Sequence, residues 1–199
     1  QLMYENIEAV NSKIEFDLNI KLENSEDCPR YVGGIFKNIR LGESPRWLVD
    51  YMKSIGEKSI NNLVDISNYI LFELGHPTHI FDLDKLANRE ITVRRALPGE
   101  GIVTLDEKEH ELNKNNLLIT SGNEPIALAG IIGGLSTSVT EKTKTILVES
   151  AYFNPVTIRK SAKSLFLSTE ASKRYERGVD PNGCIKAFNH VASLIYDIT

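Results

Sequence analysis

The stretch "ILVESAYFNPVTIRKSAKSLFLSTEAS", Ile146 to Ser172, contains a strand, a capped helix and the start of another helix. In its first half Ile146 and Val148 share one face while Leu147, Glu149 and Ala151 share the other, because side chains alternate along a strand. Both faces are apolar, which predicts a strand covered from two sides. Glu149 breaks the pattern. A lone carboxylate between apolar layers is costly unless it is hydrogen-bonded or neutralised. Two readings stand: a structural acid paired with an arginine of RYERG (Arg174 to Gly178), or a pocket acid awaiting a ligand that donates a hydrogen bond. Further on, Asn154-Pro155 offers a capping side chain and then a residue with no N–H to lose, which predicts a helix start. Thr169 to Ser172 reads as a small, hydroxyl-rich opening of the next helix.

Outward from this segment, Phe16 to Leu22 and Tyr31 to Leu41 alternate as strands, the second carrying an irregularity at Gly33-Gly34. Ser44-Pro45 predicts an N-cap with proline at the first helical position, and the helix stops at Gly56. Ile60, Leu63, Val64, Ser67, Ile70, Leu71 and Leu74 recur at helical spacing as far as Gly75. Ile91 to Ala96 is a strand, short β segments continue through Leu117–Thr120 and Pro125–Gly134, and Asp180-Pro181 predicts the opening of a last helix. With no strand–helix alternation and no internal repeat, the expected class is α+β, a mixed, mostly antiparallel sheet with packed helices. The expected junction lies near Leu41 to Ser44.

The chain has 199 residues, 41% hydrophobic and 25% charged, enough to bury a core. Its formal net charge of -4 excludes a generally basic nucleic-acid binder and leaves room for a local basic patch. One candidate is Arg159, Lys160, Lys163, Lys173, Arg174 and Arg177 set against Glu170 and Glu176, which reads either as a polyanion contact or as a solvated helix face. No apolar run is long enough to span a bilayer, so the expected location is cytoplasmic. Cys28, in a polar loop, and Cys184 form no disulfide framework; Cys184 shares a helical face with Phe188, Val191 and Ile195 and is expected as an inert buried thiol. A start at Gln1 and a stop at Thr199 inside an apolar helical repeat suggest a piece of a longer protein.

Several chemistries can be weighed from residue types. GGLSTS, Gly133 to Ser138, lacks the second glycine of a nucleophile turn. Glu73, His76, His79 and Asp82 fall three apart, but Gly75 and Pro77 break the helix that would align them, so no metal site is expected. LAGIIGG, with Gly130, Gly133 and Gly134, lacks the lysine of a phosphate loop; it is either a tight turn needing positive φ or a backbone open to a ligand. Asn68 lies on the margin of its helix's apolar stripe, as a surface amide or a pocket wall.

Taken together and in order, "INNLVDISNYILFELGHPTHIFDLDKL", "LAGIIGG", "ILVESAYFNPVTIRKSAKS" and "STEASKRYERGVDP" resemble the editing module of the beta subunit of bacterial phenylalanyl-tRNA synthetases. The resemblance implies a lead-in segment over 1–43 and a tRNA-editing domain over 44–199. It also implies hydrolysis of tyrosine mis-esterified onto phenylalanine tRNA. A phenylalanine pocket rejects an added hydroxyl only weakly, so a second site must recognise it. On this resemblance Glu149 accepts the phenolic hydrogen, Gly130 and Gly133 line the pocket with backbone, and Thr169 and Ala171 form its floor. His79 and Asn68 lie near the scissile ester as the catalytic pair. Lys58 touches the terminal adenosine where relatives often carry arginine, keeping the charge without the planar fork; Thr78 stands where relatives often carry methionine. The implied partners are phenylalanine tRNA and the alpha subunit of a heterotetramer, with no membrane. No cofactor is implied for this module, ATP and magnesium belonging to the synthetic site of the holoenzyme. A non-catalytic tRNA-binding or scaffold module and a small-molecule-binding protein are the competing classes.

Overall fold

The computed structural model describes residues 18–199. In chain order the strands are β1 (Asn19–Leu22), β2 (Arg30–Lys37), β3 (Thr78–Asp82), β4 (Glu90–Arg95), β5 (Gly101–Val103), β6 (Glu109–Glu111), β7 (Leu117–Ser121), β8 (Glu124–Leu128), β9 (Ile132–Gly133) and β10 (Thr145–Tyr152). The helices are α1 (Arg46–Ser54), α2 (Asn62–Leu74), α3 (Pro155–Ser164), α4 (Glu170–Arg177) and α5 (Gly183–Ile198). One sheet runs β1-β4-β7-β8-β9, with β1 parallel to β4 and the other pairs antiparallel. A second, fully antiparallel sheet runs β2-β10-β3, and β5-β6 form a separate hairpin. The α+β class expected from the sequence is what the chain adopts.

The central strand β10 separates two cores. Leu147 and Ala151 pack with Phe81 against the inner residues of the five-stranded sheet, among them Ile91, Leu118 and Ile126. On the other side Ile146 and Val148 join Ile80 against Leu63, Ile66 and Ile70 of α2 and Ala187, Val191 and Ile195 of α5. Antiparallel strands usually keep one wet face, and a central strand covered twice needs an apolar run in place of alternation. Residues 145–152 supply one.

Capping explains the helix starts the sequence had right. Asn154 accepts hydrogen bonds from the Val156 and Thr157 amides with Pro155 following. Asn61 caps α2, which ends at Gly75 with φ 67. Two expected caps are corrected. Ser44 does not cap α1, because its hydroxyl donates to Asp65 Oδ2 at 2.6 Å and that buried carboxylate outcompetes the helix end. Asp180-Pro181 forms a turn instead of a helix start: Asp180 accepts from the Asn182 amide, and α5 begins at Gly183.

The early strands also differ from expectation. Phe16 and Asp17 lie outside the described residues. β2 ends at Lys37, where Asn38 takes φ 61. Gly33 and Gly34 cause no irregularity, since they pair in continuous register with Glu149 and Val148. Their reason is steric. A Cβ on Gly34 would lie 2.2 Å from Phe188 Cζ, and one on Gly33 would lie 3.0 Å from Ile20 Cδ1. Because β1 joins one sheet and β2 the other, strand hydrogen bonding crosses the boundary expected after residue 43. Cys28 is fully buried and Cys184 likewise, so the polar surroundings of Cys28 in the sequence did not keep it at the surface.

Gly34→Ala should therefore destabilise the chain by about 1–3 kcal/mol, since a packed aromatic ring must move. Gly33→Ala, which meets the side-chain ends of Ile20 at 3.0 Å and Leu18 at 3.3 Å, should cost less. Denaturant melts of the two, with Phe188→Leu added to Gly34→Ala to recover part of the loss, check this; equal costs would contradict it.

Candidate functional site

Register brings the two most informative residues face to face. In the β10·β3 pair Glu149 lies directly opposite His79, so both side chains leave the same face of the sheet. Gly75, in the left-handed region, and Pro77 turn the chain out of α2 into β3 and so carry His79 under the helix. A cavity of about 390 Å³ opens there, walled by Ser67 and Asn68 of α2, His79 of β3, Gly133 of β9, and Thr169 and Ala171 at the start of α4. A smaller pocket of about 60 Å³ shares His79, Gly133 and Ala171 with it and reaches Gly130, Tyr175 and Glu149.

Seven of the eight residues expected at the site line these two spaces. The exception is Lys58, exposed in the loop between α1 and α2 and on neither wall, although Asn61 three residues later is a wall residue. The glycines answer the question their motif raised. Gly130 needs its hydrogen for two reasons, a φ of 67 and aromatic carbons of Phe153 and Tyr175 that would sit 3.0 Å from a Cβ. Gly133 makes room for the imidazole: a Cβ there would be 2.4 Å from His79 Cε1. Thr169 is more than a small floor residue. Its hydroxyl accepts from the Ser172 amide and donates to Ile131 O at 2.8 Å, fastening α4 to the β8–β9 turn.

Glu149 is 5% exposed. Burial pushes its carboxyl up to about 7, opposed only by a hydrogen bond from Tyr31, whose hydroxyl donates to Oε2 at 2.8 Å. The arginine pairing weighed for this acid does not occur. Arg174 binds Glu170 and stacks over Phe72, and Tyr175 of the same motif donates to Ala151 O. Tyr31 was missed because nothing local marks it: it lies 118 residues from Glu149, and only the β2·β10 register joins them. Burial drives His79 down to about 4, so it is a neutral imidazole at pH 7, edge-on to Phe81. Among the described residues no three His, Cys, Asp or Glu side chains converge as a metal-binding group. Asp82 instead accepts from Thr143 Oγ1 and the Asp84 amide.

A family model described as the B3/4 domain matches residues 27–199. The chain belongs to the B3/4 domain family of phenylalanine–tRNA ligase beta subunits. The beta subunit of Carboxydothermus hydrogenoformans is 48% identical over 181 residues, which is 91% of this chain and 23% of that protein. That of Thermotoga maritima is 44% identical over 189 residues, 95% of this chain and 24% of that protein. This B3/4 domain thus spans about a quarter of the length of the curated relatives it matches. A crystal structure of an N-terminal fragment of the phenylalanyl-tRNA synthetase beta subunit from Pyrococcus horikoshii has the same fold, with TM-score 0.52 and 17% identity, over 83% of this chain and 53% of that one.

The two shifted groups act in opposite directions on the stability of the B3/4 domain. Glu149 keeps its proton to about pH 7 when folded against 4.5 when unfolded, so the folded state binds more protons in that window and stability falls as pH rises through it. His79 titrates at about 4 folded against 6.5 unfolded, so there stability rises with pH. The slopes offset each other. Glu149→Gln should expose the rising limb, gaining on the order of 2 kcal/mol relative to wild type between roughly pH 5 and 7; His79→Asn should expose the falling limb. Urea midpoints across that range check it, and parallel profiles would contradict it.

Proposed function

We propose that this module removes tyrosine wrongly esterified to phenylalanine tRNA, by hydrolysis of the ester. The observation that carries the reading is Glu149, a buried acid with no cationic partner among the described residues, on the wall of a small pocket beside a larger one. The small pocket takes the phenol and the larger takes the ester and the terminal adenosine. A phenolic hydroxyl satisfies the acid; a phenyl ring leaves it unpaired, which is penalised more heavily than a hydrogen bond is rewarded.

The chemistry needs no protein nucleophile and no metal in this module. Water adds to the ester carbonyl, the bond to the ribose oxygen breaks, and that oxygen leaves as a hydroxyl with the proton released by the water. The terminal ribose hydroxyl of the tRNA can assist in moving that proton. His79, neutral at pH 7, is suited to orienting the water or the carbonyl and poorly suited to holding a proton. Asn68 across the cavity offers both a donor and an acceptor for the same positioning task. Lys58 belongs in this reading to the approach of the tRNA end, outside the pocket. In the intact enzyme, ATP and magnesium serve the synthetic site, and the alpha subunit with the rest of beta supplies most of the tRNA grip. For the competing reading, a tRNA-binding scaffold without activity, the basic stretch around α3 and α4 is weakened, since Lys173 and Arg174 pair with Glu170 and Arg159 donates to Glu176 O.

The intact enzyme should hydrolyse tyrosyl-tRNA and spare phenylalanyl-tRNA; equal rates would refute the proposal. Glu149→Ala should lower tyrosine-specific deacylation about tenfold or more, the equivalent of a hydrogen bond to a charged group. Ala171→Trp, which fills a residue position on both cavity walls, should abolish deacylation while phenylalanine charging continues. Melting temperature, charging and deacylation measured on one preparation separate a filled pocket from a damaged fold.

A further inference from the structure

Tyr31 is on neither cavity wall, yet it makes the one hydrogen bond that the described residues give Glu149. It sits on β2 opposite Ala151, two residues along the same face, and so reaches the carboxyl from behind the pocket. The other titratable groups around that carboxyl are His79 from β3, Tyr175 from α4 and Cys28 from the loop before β2. None of them brings positive charge at neutral pH. Burial holds His79 neutral and raises both phenols and the thiol, so they stay protonated.

We propose that Tyr31 is the positioning residue that keeps Glu149 an acceptor: its hydroxyl takes one carboxyl oxygen and leaves the other for the phenolic hydroxyl of the bound tyrosyl group. This rests on the editing reading above and adds a specificity determinant to it. An ionised carboxylate left facing a phenyl ring costs far more than a neutral acid in the same place, so rejection of phenylalanine is strongest when Glu149 is ionised. A neutral acid can also donate to other groups and discriminates less. By bonding to the charged form, Tyr31 lowers the pH at which Glu149 becomes selective. Its own ring packs against the core beneath the sheet, which fixes the direction of donation.

The test uses the intact enzyme with wild-type, Tyr31→Phe, Glu149→Gln and doubly substituted beta subunits. The readout is the ratio of kcat/KM for tyrosyl-tRNA over phenylalanyl-tRNA deacylation at roughly pH 6 to 9, which cancels the intrinsic pH dependence of ester hydrolysis. In wild type the ratio should rise along a single ionisation. Tyr31→Phe should move that midpoint up by about one pH unit, cutting the ratio about fivefold at pH 7 and restoring it toward wild type at the alkaline end. In the Glu149→Gln background Tyr31→Phe should add nothing. Should Tyr31→Phe melt early, 3-fluorotyrosine at position 31, a stronger donor of nearly equal size, should move the midpoint down. An unshifted midpoint in a folded variant, or the same loss in the Glu149→Gln background, overturns the inference while leaving editing intact. A wild-type enzyme with no selectivity for tyrosyl-tRNA overturns the editing reading, and this inference with it.

Discussion

A strand buried on both faces is the constraint from which the remaining structure follows. Residues 145–152 pair with β2 on one side and β3 on the other, which uses up their backbone groups. Their side chains then need two separate apolar layers, and the chain supplies the five-stranded sheet on one face and α2 with α5 on the other. Any polar group on such a strand carries a cost of desolvation unless it is hydrogen-bonded. Ser150 meets the demand by donating to Cys184 O at 2.9 Å. Glu149 meets it only in part.

How the chain treats its other buried acids makes that exception informative. Asp27 is also buried, and burial works to raise its carboxyl, yet hydrogen bonds from Arg95 and Thr157 prevail and bring it below its ordinary value. Asp65 collects donors from Ser44, Ser59 and the Ile60 amide. These two acids tie loops to helices and are closed to any ligand. Among the described residues Glu149 has one hydrogen-bond donor, the neutral Tyr31 hydroxyl, and a pocket in front of it, and it is the buried acid whose carboxyl is pushed to about 7. A buried acid held near its titration point on a pocket wall is what the proposed recognition role requires.

Small residues complete the site by two different mechanisms. At Gly133 the missing side chain leaves space that the His79 ring then occupies, so the glycine sets the place of a polar group on the same wall. At Gly130 backbone conformation and aromatic packing act together at the turn between β8 and β9. Thr169 fastens the same turn to α4 through Ile131 O. The loops of the pocket wall are thus tied to each other, and Ala171 is held at the wall by a capped helix end.

The sequence by itself determined the α+β class, the doubly covered strand, the periodic stripe of α2, the capped start of α3 and the anomaly of an acid at Glu149, because periodicity and capping are local and survive reading one segment at a time. Its motifs also placed the chain in its family. Where two local signals competed, local reading failed: Ser44 and Asp180 look like caps, but Ser44 is drawn to a carboxylate 21 residues away and Asp180 closes a turn instead. Gly33-Gly34 looked like a break and is a fit to Ile20 and Phe188. The tertiary structure alone decided which donor meets Glu149. No pattern along the chain ranks Tyr31 above the arginines of RYERG; the β2·β10 register sets its phenol hydroxyl beside the acid, while Arg174 pairs with Glu170 one turn earlier on α4.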